Sequence, residues 1–274
     1  MRTSLLVLTD FSPAAARALR YADTLAGAIG AELVLLHVRR DSLLDPARFT
    51  GQVPHRSDAA TAAAFTRAIA GLTAPVVTEA GHGQVATAVA DALVGHPSAL
   101  LVLGRPDEES IPEELISTTA VDLLRAGPKP MLVVPYNAPT NSLPHRVLLA
   151  IDAAPFTLDE SQETIRCLFD ALHAQLTVMH VSPDADKAAA SVAAAAFAAV
   201  TRLGLLADFQ DAQTRTVSSA SPADRILQYA ASGEFDLIVL IARPRSFLGD
   251  LFHQSVTAAV LRQSPLPVLV LPAL

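Results

Sequence analysis

The chain is written twice, and this repeat limits the fold more than any other feature of the sequence. "LLVLTD" at 5–10 returns as "VLLAID" at 147–152, "AELVLLHV" at 31–38 as "AQLTVMHV" at 174–181, and "PKPMLVVP" at 128–135 as "PLPVLVLP" at 265–272. The offsets are 142, 143 and 137 residues (10 to 152, 38 to 181, 135 to 272). Matches in one order at nearly one spacing indicate a single structural unit used twice. "YNAPTNSLPH" (136–145) separates the copies, and its prolines and asparagines suit a linker. The sequence therefore predicts two domains of one fold, at 1–138 and 144–274.

Within each copy, strands alternate with helices. "SLLVLT" is a short apolar run, after which Ser12 and Pro13 stand as N-cap and first helical residue. Ala16, Leu19, Tyr21, Ala22, Leu25 and Ile29 recur at helical spacing, and Gly30 ends that helix. The pattern continues with strands "ELVLLHV", "APVVTEA", "ALLVLG" and "PMLVVP", separated by helices near 58–71, 84–94 and 113–126. The second copy predicts strands near 146–151, 175–181, 212–217, 236–241 and 267–271. All but the third strand of each copy are nearly continuous apolar runs, as strands covered on both faces require. The fold class is α/β: two tandem open five-stranded parallel sheets with helices on both faces. The Ala-rich stretch 188–199 reads as a packed helix.

In an open parallel sheet the functional crevice lies beyond the carboxyl ends of the strands, where strand order reverses. With strands 2 and 3 on one side of strand 1, and 4 and 5 on the other, that point falls between strands 1 and 4. The loops there are Thr9–Ser12 and Gly104–Thr118 in the first half, Asp152–Thr157 and Ala242–Ser255 in the second.

Charge narrows the functions. The formal net charge is −7 and no block of Lys or Arg stands out, which argues against nucleic acid or an anionic membrane as partner. No apolar run reaches the ~18 residues of a membrane span, and "MRTSLLVLTDFSP" does not read as a signal peptide, so a cytoplasmic protein is expected. The single cysteine, Cys167, excludes an intrachain disulfide and is expected to be a buried thiol. His82 and His96 sit in turns without a second ligand at metal spacing, so no metal site is predicted. Walker loops, dinucleotide fingerprints and nucleophile elbows are absent. A receiver domain would need an aspartate after strand 3, where "TEAG" and "SSAS" stand.

The strand ending in Thr-Asp or a similar pair, the "LLHV" end of strand 2 and the terminal Pro-x-Pro-hydrophobic strand resemble the universal stress protein family. The resemblance covers essentially the whole chain, once per half, as in the family's tandem members. It implies sheet order 3-2-1-4-5, a Rossmann-like topology of the adenine nucleotide alpha hydrolase type, and pairing through strand 5. The expected partner is the chain itself, through its two halves or as a homodimer, together with a protein partner the sequence does not identify. Some members bind ATP with G-x-x-G-x9-G-[ST] after strand 4; others lack the motif.

Both halves depart from it. In the first, Gly104 holds the first glycine position, while Asp107, Ser117 and Thr118 hold the others and the hydroxyl position. In the second, Ile241, Pro244 and Gln254 replace the glycines and Ser255 keeps the hydroxyl. Glycines let backbone N–H groups close on phosphate, whereas proline offers no N–H. Asp107, Glu108 and Glu109 would also repel a triphosphate unless Mg²⁺ bridged them.

The expectation is a non-enzymatic stress protein with typical ATP binding lost and no cofactor. One alternative is nucleotide binding or slow ATP hydrolysis in the first half, through Thr9, Asp10, Val38, Gly104, Ser117 and Thr118. Another is an anionic metabolite held in the second by Arg243, Arg245 and Ser255, in a crevice that Asp152 and Val181 also line. The resemblance places Asp10 and Asp152 on the adenine side of a nucleotide, while a turn or capping role reads equally well. His37 and His180 at matching strand ends are read as structural.

Overall fold

A computed structural model describes residues 3–39, 58–96, 100–106, 113–127, 129–152, 157, 162–173, 175–182, 198, 213–243 and 255–273. The first half runs β1 (Ser4–Leu8), α1 (Pro13–Ile29), β2 (Glu32–Arg39), α2 (Asp58–Ile69), β3 (Val76–His82), α3 (Val85–Gly95), β4 (Leu100–Arg105), α4 (Glu113–Ala126) and β5 (Met131–Pro135). The second runs β6 (Arg146–Ile151), α5 (Gln162–Leu172), β7 (Gln175–Ser182), β8 (Gln213–Ser218), α6 (Pro222–Ala231), β9 (Leu237–Ala242), α7 (Val256–Gln263) and β10 (Val268–Pro272). The strands fall within two residues of their sequence-predicted positions. Of the stretch 188–199, only Ala198 lies among the described residues.

The apolar runs are continuous because each strand is covered twice. Leu5, Val7, Leu33, Leu35, Leu100 and Val102 face a core built on α1, while Leu6, Val34, Leu36, Leu101 and Leu103 face a core built on α3 and α4. The second half repeats the division, with α5 on the first side and α6 and α7 on the other. Side chains alternate across a strand, so one residue of displacement changes the layer a side chain enters. The third strands lack a continuous apolar run because β3 and β8 are the sheet edges, each with one neighbour and largely exposed positions.

Each half has the order 3-2-1-4-5, but the two sheets are one. The full order is β3-β2-β1-β4-β5-β10-β9-β6-β7-β8, a ten-stranded sheet parallel everywhere except at its centre. There β5 and β10 run antiparallel, pairing Val268 with Val133, Leu269 with Leu132 and Val270 with Met131. Leu132 and Leu269 are repeat equivalents of each other (offset 137), so the pseudo-two-fold axis passes through this pair. Helices meet across the same axis, α1 with α5 on one face and α4 with α7 on the other.

The linker is docked rather than loose. Arg17 Nη1 donates to the Ala138 carbonyl at 3.2 Å and Thr24 Oγ1 to the Thr140 carbonyl at 2.6 Å. Ala138 and Thr140 are buried, and Leu143 packs on the α1-side core. Beyond the linker, Arg146 forks onto Asp236, with Nη2 to Oδ1 at 2.7 Å and Nε to Oδ2 at 3.2 Å. Burial pushes the Asp236 carboxyl up, but Arg146 and the backbone N–H groups of Arg146 and His145 outweigh it and hold the group below its usual range. Tyr21, on α1, is buried, and its hydroxyl has no hydrogen-bond partner among the described residues; burial and then the Asp236 charge raise its pKa.

Two sequence readings are corrected. Cys167 is exposed: the inner face of α5 is Ile165, Leu168, Phe169 and Leu172, and Cys167 falls opposite it. Ala16 also faces solvent, its place in the α1 stripe being taken by Ala14, Ala15 and Ala18.

Candidate functional site

The first crevice opens where β1 ends. Thr9 still donates its N–H to the Leu36 carbonyl at 2.9 Å, as if β1 continued. Its Oγ1 then accepts the Phe11 N–H at 2.9 Å, Asp10 Oδ1 accepts the Ser12 N–H at 2.8 Å, and Ser12 Oγ caps α1 by accepting the Ala15 N–H at 3.2 Å. This chain of side-chain acceptors turns the backbone so sharply that Phe11 adopts φ 63°. The Phe11 ring lies 4.6 Å from the His37 ring and 5.3 Å from the Phe65 ring, between centroids, and that stack offsets the strain. His37 Nδ1 sits 2.8 Å from the Thr9 carbonyl, which can only accept, so Nδ1 carries the proton. Asp10 is therefore at once a turn-former and an exposed carboxylate at the crevice, and Val38, the next-to-last residue of β2, is half-buried.

Gly104 closes the far side, for a reason independent of any ligand. A Cβ there would stand 2.4 Å from the Ala14 carbonyl oxygen, 2.5 Å from its carbon and 2.8 Å from Ala15 N. The first turn of α1 rests directly on β4, and only glycine permits that approach. Ser117 and Thr118 are the fifth and sixth residues of α4, which begins at Glu113. Only the first four N–H groups of a helix are free of intrahelical partners, so the backbone at 117 and 118 is not a phosphate cradle. Asp107, Glu108 and Glu109 lie outside the described residues.

The second crevice is arranged differently. Asp152, at the end of β6, receives a two-pronged arginine: Arg243 Nε to Oδ2 and Nη2 to Oδ1, each at 2.6 Å. This planar, charge-assisted pair spans the point where strand order reverses. The hydrogen bond to Asp152 raises the pKa of Arg243, partial burial works against it, and the Asp152 charge adds to the rise. Ser255 is the N-cap of α7, its Oγ accepting the Ala258 N–H at 3.1 Å. His180 repeats His37, with Nδ1 3.2 Å from the Ile151 carbonyl, and Val181 is half-buried beyond it. Arg245 lies outside the described residues.

Sequence reasoning placed Asp10 and Gly104 at one crevice and Asp152, Arg243 and Ser255 at the other, but it missed Arg105. In register, Arg105 matches Ala242 and Arg243 matches Pro106, so the two arginines are one position apart and enter opposite layers. Arg105 leaves its own domain: Nη1 donates to the Leu261 carbonyl at 2.9 Å and Nη2 to the Ser264 carbonyl at 2.5 Å. The unlike alignment of "GRP" with "IAR" was the available signal. Among the described residues, no group of three or more His, Cys, Asp or Glu could hold a metal ion, and no helix is long and apolar enough to cross a membrane.

The model of the "Universal stress protein family" matches residues 1–135 and again 144–272. A universal stress protein from Archaeoglobus fulgidus has a similar structure, with TM-score 0.68, 22% identity, and 97% of each chain covered. So has a functionally unknown protein from Pseudomonas aeruginosa, with TM-score 0.65, 18% identity, 99% of this chain and 93% of that one. At these identities the likeness bears on the fold. No curated protein matches the chain.

Proposed function

The chain belongs to the universal stress protein family, and from that premise we propose that it is a non-enzymatic stress-response protein of the cytoplasm, working through protein contacts rather than through ATP held in a phosphate loop. The observation that carries this reading is the Asp152–Arg243 pair. The aspartate that would stand on the adenine side of a nucleotide is engaged by both prongs of a guanidinium from the loop that would hold the phosphates. A nucleotide would have to break two charge-assisted bonds to enter. The first half supports the same reading, because its one motif glycine is accounted for by the contact with α1.

The test is to denature the purified protein, identify any nucleotide released, and titrate the native protein with Mg-ATP. Nucleotide-free protein with no response is the expected result. Stoichiometric ATP, or micromolar binding, would overturn the reading.

A second reading, nucleotide binding in the first crevice, is favoured by one observation: among the described residues no cation pairs with exposed Asp10. It predicts Mg-ATP binding that Asp10→Ala abolishes while Arg243→Ala leaves it intact. An anion bound at the second crevice would give the opposite result, lost in Arg243→Ala and strengthened in Asp152→Asn.

A further inference from the structure

Arg105 sits at the first crevice yet bonds to the second domain. Along β4, Leu101 and Leu103 face the α4 side, so Arg105 faces it too, while Gly104 between them faces α1. Its guanidinium reaches across the pseudo-two-fold to the carbonyls of Leu261 and Ser264, at the C-terminal end of α7. Carbonyls there lack intrahelical partners and carry the negative end of the helix dipole, so a forked cation satisfies both needs. The end it grips is itself fixed. Ser264 is fully buried, its N–H donates to the Val260 carbonyl at 2.9 Å, and its hydroxyl donates to the Leu266 carbonyl at 2.9 Å and accepts the Leu266 N–H at 3.1 Å. The opposite end of α7 begins at Ser255, at the second crevice. With eight residues, the helix is about 12 Å long, so a short rigid rod separates the two points. The equivalent of Arg105 in the second half is Ala242, which has no side chain able to return the contact.

We propose that Arg105 couples the two crevices, joining the end of β4 and helix α7 into one mechanical unit, so that a change at the Ser255 cap is felt at Gly104. The coupling does not depend on whether either crevice binds a nucleotide. Arg105 acts as a positioning residue, and its effect is read in backbone order.

The experiment is a mutational cycle on the full chain, followed by amide hydrogen exchange and backbone resonances. Arg105→Met should raise exchange across 256–264 by roughly tenfold or more, the effect of losing even one of the two charge-assisted bonds at this helix end. Ser255→Ala alone should shift the Gly104 and Arg105 amide resonances, and that response should vanish when Arg105 is already Met. A response at Gly104 of equal size with and without the arginine would overturn the proposal, as would no response in the otherwise unchanged chain. If Arg105→Met does not fold, Arg105→Gln serves in the same cycle with the same outcomes, since a shorter amide cannot span both carbonyls.

Discussion

Replacing Gly104 by alanine separates two explanations of the same glycine. If it is kept for phosphate, alanine should alter ligand binding and leave the fold nearly untouched. If it is kept for the seat of α1, alanine should cost stability whatever is bound. The added methyl would stand 2.4 Å from the Ala14 carbonyl oxygen, and ordinary contact begins near 3.4 Å, so helix and strand would have to part by about 1 Å. The obstacle is backbone, which cannot rotate away. α1 is also held at its start by Ser12, along its length by Arg17 and Thr24 on the linker, and by Asp23, whose carboxylate accepts the Thr73 and Ala74 N–H groups. Overpacking of this kind costs about 1–3 kcal/mol, and the rigid surroundings favour the upper end. In a chain of this size, about 3 kcal/mol lowers the melting temperature by roughly 6–12 °C. Urea denaturation followed by circular dichroism measures the difference directly. A loss below about 0.5 kcal/mol, the ordinary scatter of surface substitutions, would refute the packing argument.

Three other outcomes follow. Leu269→Lys places a charge on the pseudo-two-fold axis against Leu132; it should destabilise the chain by about 3 kcal/mol or more and open 136–145 to limited proteolysis, under conditions in which the unmodified chain should stay intact there. The carboxyl of Asp236 is held below its unfolded value of about 3.9, so its stabilising contribution is complete above that pH and is lost as pH falls through the lower folded value. Asp236→Asn should therefore flatten the acid limb of a stability–pH curve below about pH 4, seen in melting temperatures between neutral and acid buffer. Cys167 should react with a thiol reagent in the native protein as fast as in the denatured one, whereas a protected thiol would react only after unfolding.

The fold was legible because its causes are local and repeated. Apolar runs such as "LLVL" and "LIVLI" can only be strands buried on both faces when helices alternate with them, and Ser12, Pro13 and Gly30 mark α1 by their own backbone chemistry. An apolar neighbourhood in sequence does not bury Cys167, because burial follows the helix face: Ile165, Leu168, Phe169 and Leu172 share the inner one, and position 167 lies opposite. The site was legible as a place and not as a set of bonds. Topology brings Asp152 and Arg243 together across 91 residues, but only side-chain geometry shows that they hold each other. Gly104 reads alike in sequence whether it faces a phosphate or the backbone of Ala14. The alignment of "GRP" with "IAR" marks Arg105 as a difference between the halves but not its bonds, because its partners, 156 and 159 residues away, belong to the other domain.

The antiparallel union of β5 and β10 within one polypeptide changes what a single substitution can do. When two identical copies meet on a two-fold axis, every altered codon is expressed on both sides, and a favourable change must be tolerable in both settings. Here the partners are encoded separately. An arginine stands at 105 where its counterpart is alanine, and another at 243 where its counterpart is proline. Each half is thus free to specialise while the other supplies its missing edge.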